Sequence, residues 1–307
     1  MVRRPVQTAG PVLEPVSPFV HALADSVPVG VVADLAVRAL IEEAELTPKP
    51  ALVDRRGGGA HDDMDLELLR RSAYALRPTF GELATRAHRC APGRRLREEL
   101  AAIGRRGEEA MFAVTRGVNT HRGAIWALGL LAAAAAMSPP GAAPAEIAAL
   151  AGQVAAFPDR HAPTEASHGS LAAERYGVAG ARGEARRGFP HVVGVALPTL
   201  RAAREAGCVE RLARLDALVA LVANLDDTCL LHRGGRVALR DAQTGARAVL
   251  DAGGNATAAG RRALRSLEAV LLRHNAAPGG SADLLAATLL LDGLDHAAAG
   301  PVLEEVA

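Results

Sequence analysis

The stretch from Glu43 to Asp65, EAELTPKPALVDRRGGGAHDDMD, concentrates side chains able to do chemistry. Of the 35 lysine and arginine residues only Lys49 is a lysine, and it is set between Pro48 and Pro50. Arginine is a planar fork and lysine a compact point charge, so the two are not interchangeable where geometry matters. Either this lysine is a stray surface residue, or a cation must meet a phosphate or carboxylate in a tight space. Carboxylates recur at Glu43, Asp54, Asp63, Asp65, Glu184, Asp227 and Asp283. Hard oxygen ligands of this kind suit Mg2+, which takes one or two carboxylates together with phosphate oxygens and water. Cations at Lys49, Arg122, Arg182 and Arg233 suit an anionic substrate. Gly117 and the pair Gly279-Gly280 precede helical patterns whose first N–H groups are able to receive phosphate. These residue types point to an enzyme that handles a polyphosphate with Mg2+.

Helices must position these groups, because no segment alternates as a strand does and no fixed-period repeat occurs. Val32, Leu35, Ala36, Ala39 and Leu40 make one apolar stripe, with Glu42, Glu43 and Glu45 placed against the dipole in its last turn. Asp62, Asp63 and Asp65 open a second helix, expected to stop at Pro78. Two more helices are expected over 81–116. A strongly apolar helix follows VNTHRG, with Asn119 or Thr120 as its cap and the cations His121 and Arg122 in its first turn, a placement that suits a bound anion. A helix over 143–156 leads into a polar segment, 157–190, expected to be a loop around a short helix at Leu171–Arg175. From Val209 a helix is expected through LDDTCLLHR to Gly234-Gly235, followed by helices over 238–252, 257–274 and from Ser281 onward. The fold expected is all-α, a single globular domain of roughly ten helices over 21–307, behind a flexible arm over 1–20.

The totals exclude several classes of function. A net charge of +1 and 3% aromatic residues leave neither the basic field nor the stacking platforms of a nucleic-acid binder. Three cysteines without CxxC spacing suit a reducing cytosol, so a cytoplasmic location is expected. The first twenty residues are broken by four prolines, so no signal-peptide core forms there. The longest apolar run, Ala124 to Met137, falls short of the ~20 residues that span a bilayer, and no membrane partner is expected.

TPKPALVDRRGGGAHDDMD resembles the signature of the triphosphoribosyl-dephospho-CoA synthase family, approximately T-P-K-P-G-x-V-D followed by G-A-H-x-D-M-D. GVNTHRGAI, SHG…YG…GARGEA…GFP, DTCLLHRGG and N…PGGSADLLA resemble further blocks of the same family in the same order, across about residues 30–295. Asp54-Arg55-Arg56-Gly57 is more similar to the malonate decarboxylase branch than to the citrate lyase branch. Two positions depart from the pattern. Ala51 stands where glycine is usual, which implies a turn with no need of positive φ, and Cys229 stands where asparagine is frequent.

The resemblance implies an all-α fold and a ribosyl transfer in which ATP gives up its base. The 2′-hydroxyl of 3′-dephospho-CoA attacks C1′ of the ATP ribose, adenine leaves, and the triphosphate stays on the sugar. The product is the prosthetic-group precursor of an acyl carrier protein and passes to that protein's maturation enzyme. An oxocarbenium-like centre favours nearby negative charge, and adenine must be protonated or hydrogen-bonded as it departs. On this resemblance Lys49, Arg122 and Arg233 hold phosphates, and Arg55, Asn119, Arg182, Asn275, Gly280 and Ser281 complete the substrate contacts. Asp63 and Asp65, with Glu43, Asp54 and Asp283, are the Mg2+ candidates, whereas Asp62 falls on a variable position. Glu184 or Asp227 is the candidate base, and His61, His121 or His232 would assist adenine.

Three alternatives compete. An isoprenoid-synthase reading needs DDxxD, but Leu66 and Leu230 occupy the positions of the required acids. An HD-type phosphohydrolase needs an upstream metal histidine, and only His21 precedes His61-Asp62. A helical adaptor that only docks an acyl carrier protein would have no use for carboxylates and glycines gathered at helix ends.

Overall fold

The computed structural model describes residues 27–298. The arm expected over 1–20 and His21 lie outside the described residues. Thirteen α-helices and one π-helical turn make up the described chain, so the all-α expectation holds with a somewhat larger count. They are α1 (Val29–Glu45), α2 (Leu66–Ala75), α3 (Arg77–Ala87), α4 (Arg94–Thr115), α5 (Arg122–Met137), α6 (Pro144–Ala156) and α7 (His168–Tyr176). Then come α8 (Gly180–Arg186), the π turn Val192–Ala196, α9 (Leu197–Glu205), α10 (Glu210–Asn224), α11 (Thr228–Asp251), α12 (Ala258–Arg273) and α13 (Gly279–Ala298). No helix among the described residues is long and apolar enough to cross a membrane.

Two helices are hydrophobic all round and form the centres of the fold. From Ala124 to Ala136 every residue of α5 except Trp126 is buried, and α1, α3, α4, α6 and α13 surround it. Alanines at 132–136 let those neighbours approach closely. Helix α10 is buried from Leu215 to Ala223 and packs on α9, α11 and α13. Helix α13 touches α1, α5 and α10, and so joins the two groups along one seam. The starts of α5, α11 and α13 and the 46–65 loop carry the polar residues singled out above.

Local chemistry explains where the elements depart from the expected boundaries. Pro78 lies in the first turn of α3, where its missing N–H is harmless, so it begins a helix instead of ending one. The helix from Val209 breaks at Leu225–Asp227, because the Asp227 side chain accepts from the Cys229 N–H and starts α11 afresh. Gly235, at φ 66° and ψ −164°, kinks α11 without ending it. The 157–190 segment contains two helices, α7 and α8, with the Ser167 hydroxyl capping α7 and Gly177 closing it in the left-handed conformation.

Leu131 and Leu128 are fully buried at the centre of α5. Leu131→Ala is expected to destabilise the fold by about 2–5 kcal/mol, read from the urea unfolding midpoint.

Candidate active site

The 46–65 loop is built around two buried carboxylates. Asp54 accepts from the Lys49 backbone N–H at 2.9 Å and from the Arg56 backbone N–H at 2.7 Å. The Arg56 guanidinium forks onto Asp54, reaches the Lys49 carbonyl, and extends to Glu268 of α12. Ala51 is buried at φ 59°, so the turn does use positive φ, contrary to expectation. An alanine there bears a steric cost of order 1 kcal/mol that the surrounding loop must offset. Gly59, also at positive φ, lies so close that a Cβ would meet the Ala51 carbonyl oxygen at 2.4 Å.

Lys49 is 1% exposed, which rules out the stray surface residue. Its Nζ donates to Oε1 of Glu43 at 2.6 Å, and Glu43 is itself buried at the end of α1. The acids placed against the α1 dipole therefore serve a cation from the loop. Glu45 takes Arg55 and Arg70 in the same way nearer the surface.

The start of α5 closes over this pair. His121 is buried, and its Nδ1 lies 2.8 Å from the Ser72 hydroxyl while Nε2 has no partner in the protein. Burial, with the Lys49 charge nearby, holds its pKa down to about 4, so the ring is neutral at pH 7. At Gly123 a Cβ would meet Oδ2 of Asp283 at 2.0 Å, so only glycine admits that carboxyl from α13. Burial pushes the Asp283 carboxyl well above the ordinary range, and the Glu43 and Asp227 charges add to the rise, against a hydrogen bond from the Ala124 N–H.

Asp227 accepts from the N–H of Cys229, Gly280 and Ser281 and from the Ser281 hydroxyl, and so pins the starts of α11 and α13 together. Its lone pairs are committed to the protein, which removes it as a general base; burial nevertheless raises its pKa. Glu184 is buried and takes two donors from His191, the backbone N–H and the ring nitrogen, each at 2.8 Å. Burial, followed by the charges of Asp227 and Asp283, pushes the Cys229 thiol up, so it is a thiol and not a thiolate ligand.

The remaining candidates scatter. Arg233 donates to the Ala60 carbonyl and to Nδ1 of His61, tying α11 to the loop and leaving the His61 proton on Nε2. His232 stacks on His168 of α7 with ring centroids 4.2 Å apart. Arg122 pairs with Glu108 of α4, and its backbone N–H takes the Asn119 side chain at 3.2 Å. Arg55, Arg182 and Asn275 are exposed, the last at φ 46° just past α12. Gly280 and Ser281 are engaged by Asp227 as above.

The expected metal ligands do not form one set. Asp54 is spent on the loop, Asp65 caps α2 through the Leu68 N–H, and Asp63 is an exposed neighbour of His61 at 3.7 Å. Among the described residues no three His, Cys, Asp or Glu side chains gather closely enough to hold a metal alone. Glu43 and Asp283 nevertheless fit Mg2+, which needs only one or two carboxylates when phosphates supply the rest. Their mutual repulsion, eased by Lys49 at Glu43 and by the Ala124 N–H at Asp283, is what a divalent cation would neutralise.

The five sequence blocks thus meet at one place. Lys49 reaches Glu43 and influences His121, Gly123 abuts Asp283, Arg233 holds His61, and Asp227 clasps Ser281. The His168–His232 stack brings in the remaining block. A family model described as ATP:dephospho-CoA triphosphoribosyl transferase matches residues 30–301. The chain belongs to that family. An Azotobacter vinelandii protein named "Probable 2-(5''-triphosphoribosyl)-3'-dephosphocoenzyme-A synthase" is 58% identical over 272 residues, 88% of this chain and 93% of the relative. Proteins of the same name from Pseudomonas fluorescens and Pseudomonas aeruginosa are each 57% identical, over 86% and 87% of this chain and 91% and 92% of theirs. No solved structure matches. As a triphosphoribosyl transferase the chain is a transferase whose substrates are ATP and dephospho-CoA.

Two residues of this transferase escaped the sequence reading. Ser72, which orients His121, was detectable as a polar residue inside the apolar pattern of α2. His191, the residue directly after the GFP block, left no such signal. The Glu184 hydrogen bond raises its pKa above the ordinary ~6.5. The pair therefore contributes stability that is full below about pH 6.5 and is lost as pH rises through the raised folded value. His191→Gln is expected to remove that fall, seen in urea midpoints between about pH 5 and pH 8.

Proposed function

We propose that the buried cluster of Lys49, Glu43, His121 and Asp283 is where the triphosphoribosyl group of ATP passes to the 2′-hydroxyl of 3′-dephospho-CoA. The convergence of the five family blocks on this cluster carries the reading. One C–O bond forms at C1′ of the ATP ribose and the C–N bond to adenine breaks; the triphosphate moves with the sugar. Lys49, oriented by Glu43, and Arg233, near the loop, are the cations for the triphosphate. Glu43 and Asp283 would hold Mg2+, which would neutralise phosphate charge when bound. The surrounding carboxylates oppose the positive charge that develops on the ribose.

His121 is the group best suited to accept the 2′-hydroxyl proton. Its imidazole is neutral, its Nδ1 is held by Ser72, and its Nε2 has no protein partner. His61, whose Nδ1 accepts from Arg233, presents an N–H at Nε2 to the departing adenine. The product's onward passage to an acyl carrier protein through a maturation enzyme belongs to this reading, as do the malonate decarboxylase branch and a cytoplasmic location.

Incubation with ATP, dephospho-CoA and Mg2+ is expected to release free adenine, followed by chromatography. Phosphate or pyrophosphate without adenine would refute the transfer, and full activity in Lys49→Arg, which keeps the charge but not the fit, would refute the role given to Lys49. His121→Ala is expected to lower kcat by about 10²–10⁴ with unchanged helical circular dichroism. Asp283→Asn is expected to raise the Mg2+ concentration needed for half-maximal rate, whereas Asp63→Asn leaves it near that of the parent protein.

A further inference from the structure

One helical turn beyond Arg122, α5 borders a second cationic site. A cleft of about 140 Å3, open to solvent on one side, lies between α4, α5 and the segment before α7. Trp126 and Ile125 of α5 and Leu100 and Arg97 of α4 line it, and Arg182 of α8 stands at its edge. Arg97 is 9% exposed, its guanidinium lies 4.9 Å from the Trp126 ring centroid, and its Nε has no hydrogen-bond partner. An Nε–H buried without an acceptor is costly unless something satisfies it.

The acids around the cleft are already engaged. Asp159 accepts from Arg105 at 2.7 Å, and Glu108 pairs with Arg122 at 2.8 Å. Burial, together with the charges of Arg182, Arg105 and Arg186, presses on Arg97 and depresses its pKa, with only Asp159 opposing. The cations that face the cleft without a hydrogen-bonded acid are Arg97 and Arg182, beside an apolar wall. That combination fits an organic diphosphate carrying an uncharged arm with apolar segments, since guanidinium forks match phosphate oxygens.

Of the two substrates, only dephospho-CoA has a diphosphate set between a ribose and such an arm. We propose that this cleft binds the diphosphate and pantetheine arm of dephospho-CoA, with Arg97 and Arg182 on the phosphates. This rests on the transferase reading above. The arm lies along Leu100 and the apolar side of α5, and the ribose points back along α5 toward Arg122 and His121. One turn of helix, about 5.4 Å, is comparable to the span of that ribose. The two anionic substrates are thereby separated, with ATP at the start of α5 and the acceptor beside its second turn.

Trp126 is the only tryptophan of the chain, so its fluorescence reports on the cleft directly. Titration of the full-length protein with dephospho-CoA, without ATP, is expected to change that fluorescence saturably, and ATP alone is expected to leave it unchanged. Arg97→Gln is expected to weaken the response, and to raise the KM for dephospho-CoA, by about tenfold or more with the KM for ATP within about twofold. Arg182→Gln, at an exposed position, gives the same readout if the buried substitution disturbs folding. Adenine release by the parent protein tests the transferase reading separately, and the fluorescence titration stands whether or not turnover occurs. The cleft assignment is overturned if dephospho-CoA leaves Trp126 unaffected, if both variants keep the parent KM for dephospho-CoA, or if the KM for ATP alone rises.

Discussion

The ion pair between Lys49 and Glu43 is the interaction on which the site depends. Both partners are buried, so each would be strongly penalised without the other. The pair joins the end of α1 to a loop whose path is otherwise held by Asp54 and Arg56. Its cation helps keep His121 neutral, and its anion helps raise Asp283. Loss of Lys49 would leave Glu43, Asp227 and Asp283 as mutually repelling carboxylates in a low-dielectric interior. The polyphosphate and divalent-cation binding proposed for this cluster would draw on that balance of charges.

The helices that frame the site divide their tasks. Helix α5 is buried nearly all round and supplies a rigid axis, with His121 and Gly123 at its start and Trp126 one turn on. Helix α13 crosses from α1 to α10 and carries Ser281 and Asp283 into the centre. Asp227 fixes α13 to α11 by four hydrogen bonds, so two helix starts share one carboxylate. The polar chemistry is thus held by rigid elements and not left to mobile loops.

Much of this was legible in the chain itself. The apolar stripe of α1, the all-round apolarity of α5 and the glycine-rich loop around Lys49 follow from periodicity and from Pro and Gly placement, and the structure bears them out. The roles of individual carboxylates were less legible, because hydrogen bonding and not residue type decides whether an acid is available. Asp227 looks like Asp283 in sequence, yet the first is saturated by four protein donors, Glu184 is held by His191, and Asp283 is pressed by its neighbours. Ala51 misled for a related reason: a substitution for glycine suggests a relaxed turn, but long-range packing holds the residue at positive φ. The unpartnered Arg97 was hidden because one arginine among many carries no local signature.

The arginine bias of the chain has a chemical consequence. With no other lysine present, Lys49 is the protein's only side-chain amine, and it is enclosed at 1% exposure. Acylating reagents that attack amines but not guanidinium groups find no other side-chain amine as a target. Their rate of reaction at Lys49 therefore measures how often the buried cluster around Glu43 opens to solvent, with no probe introduced into the molecule.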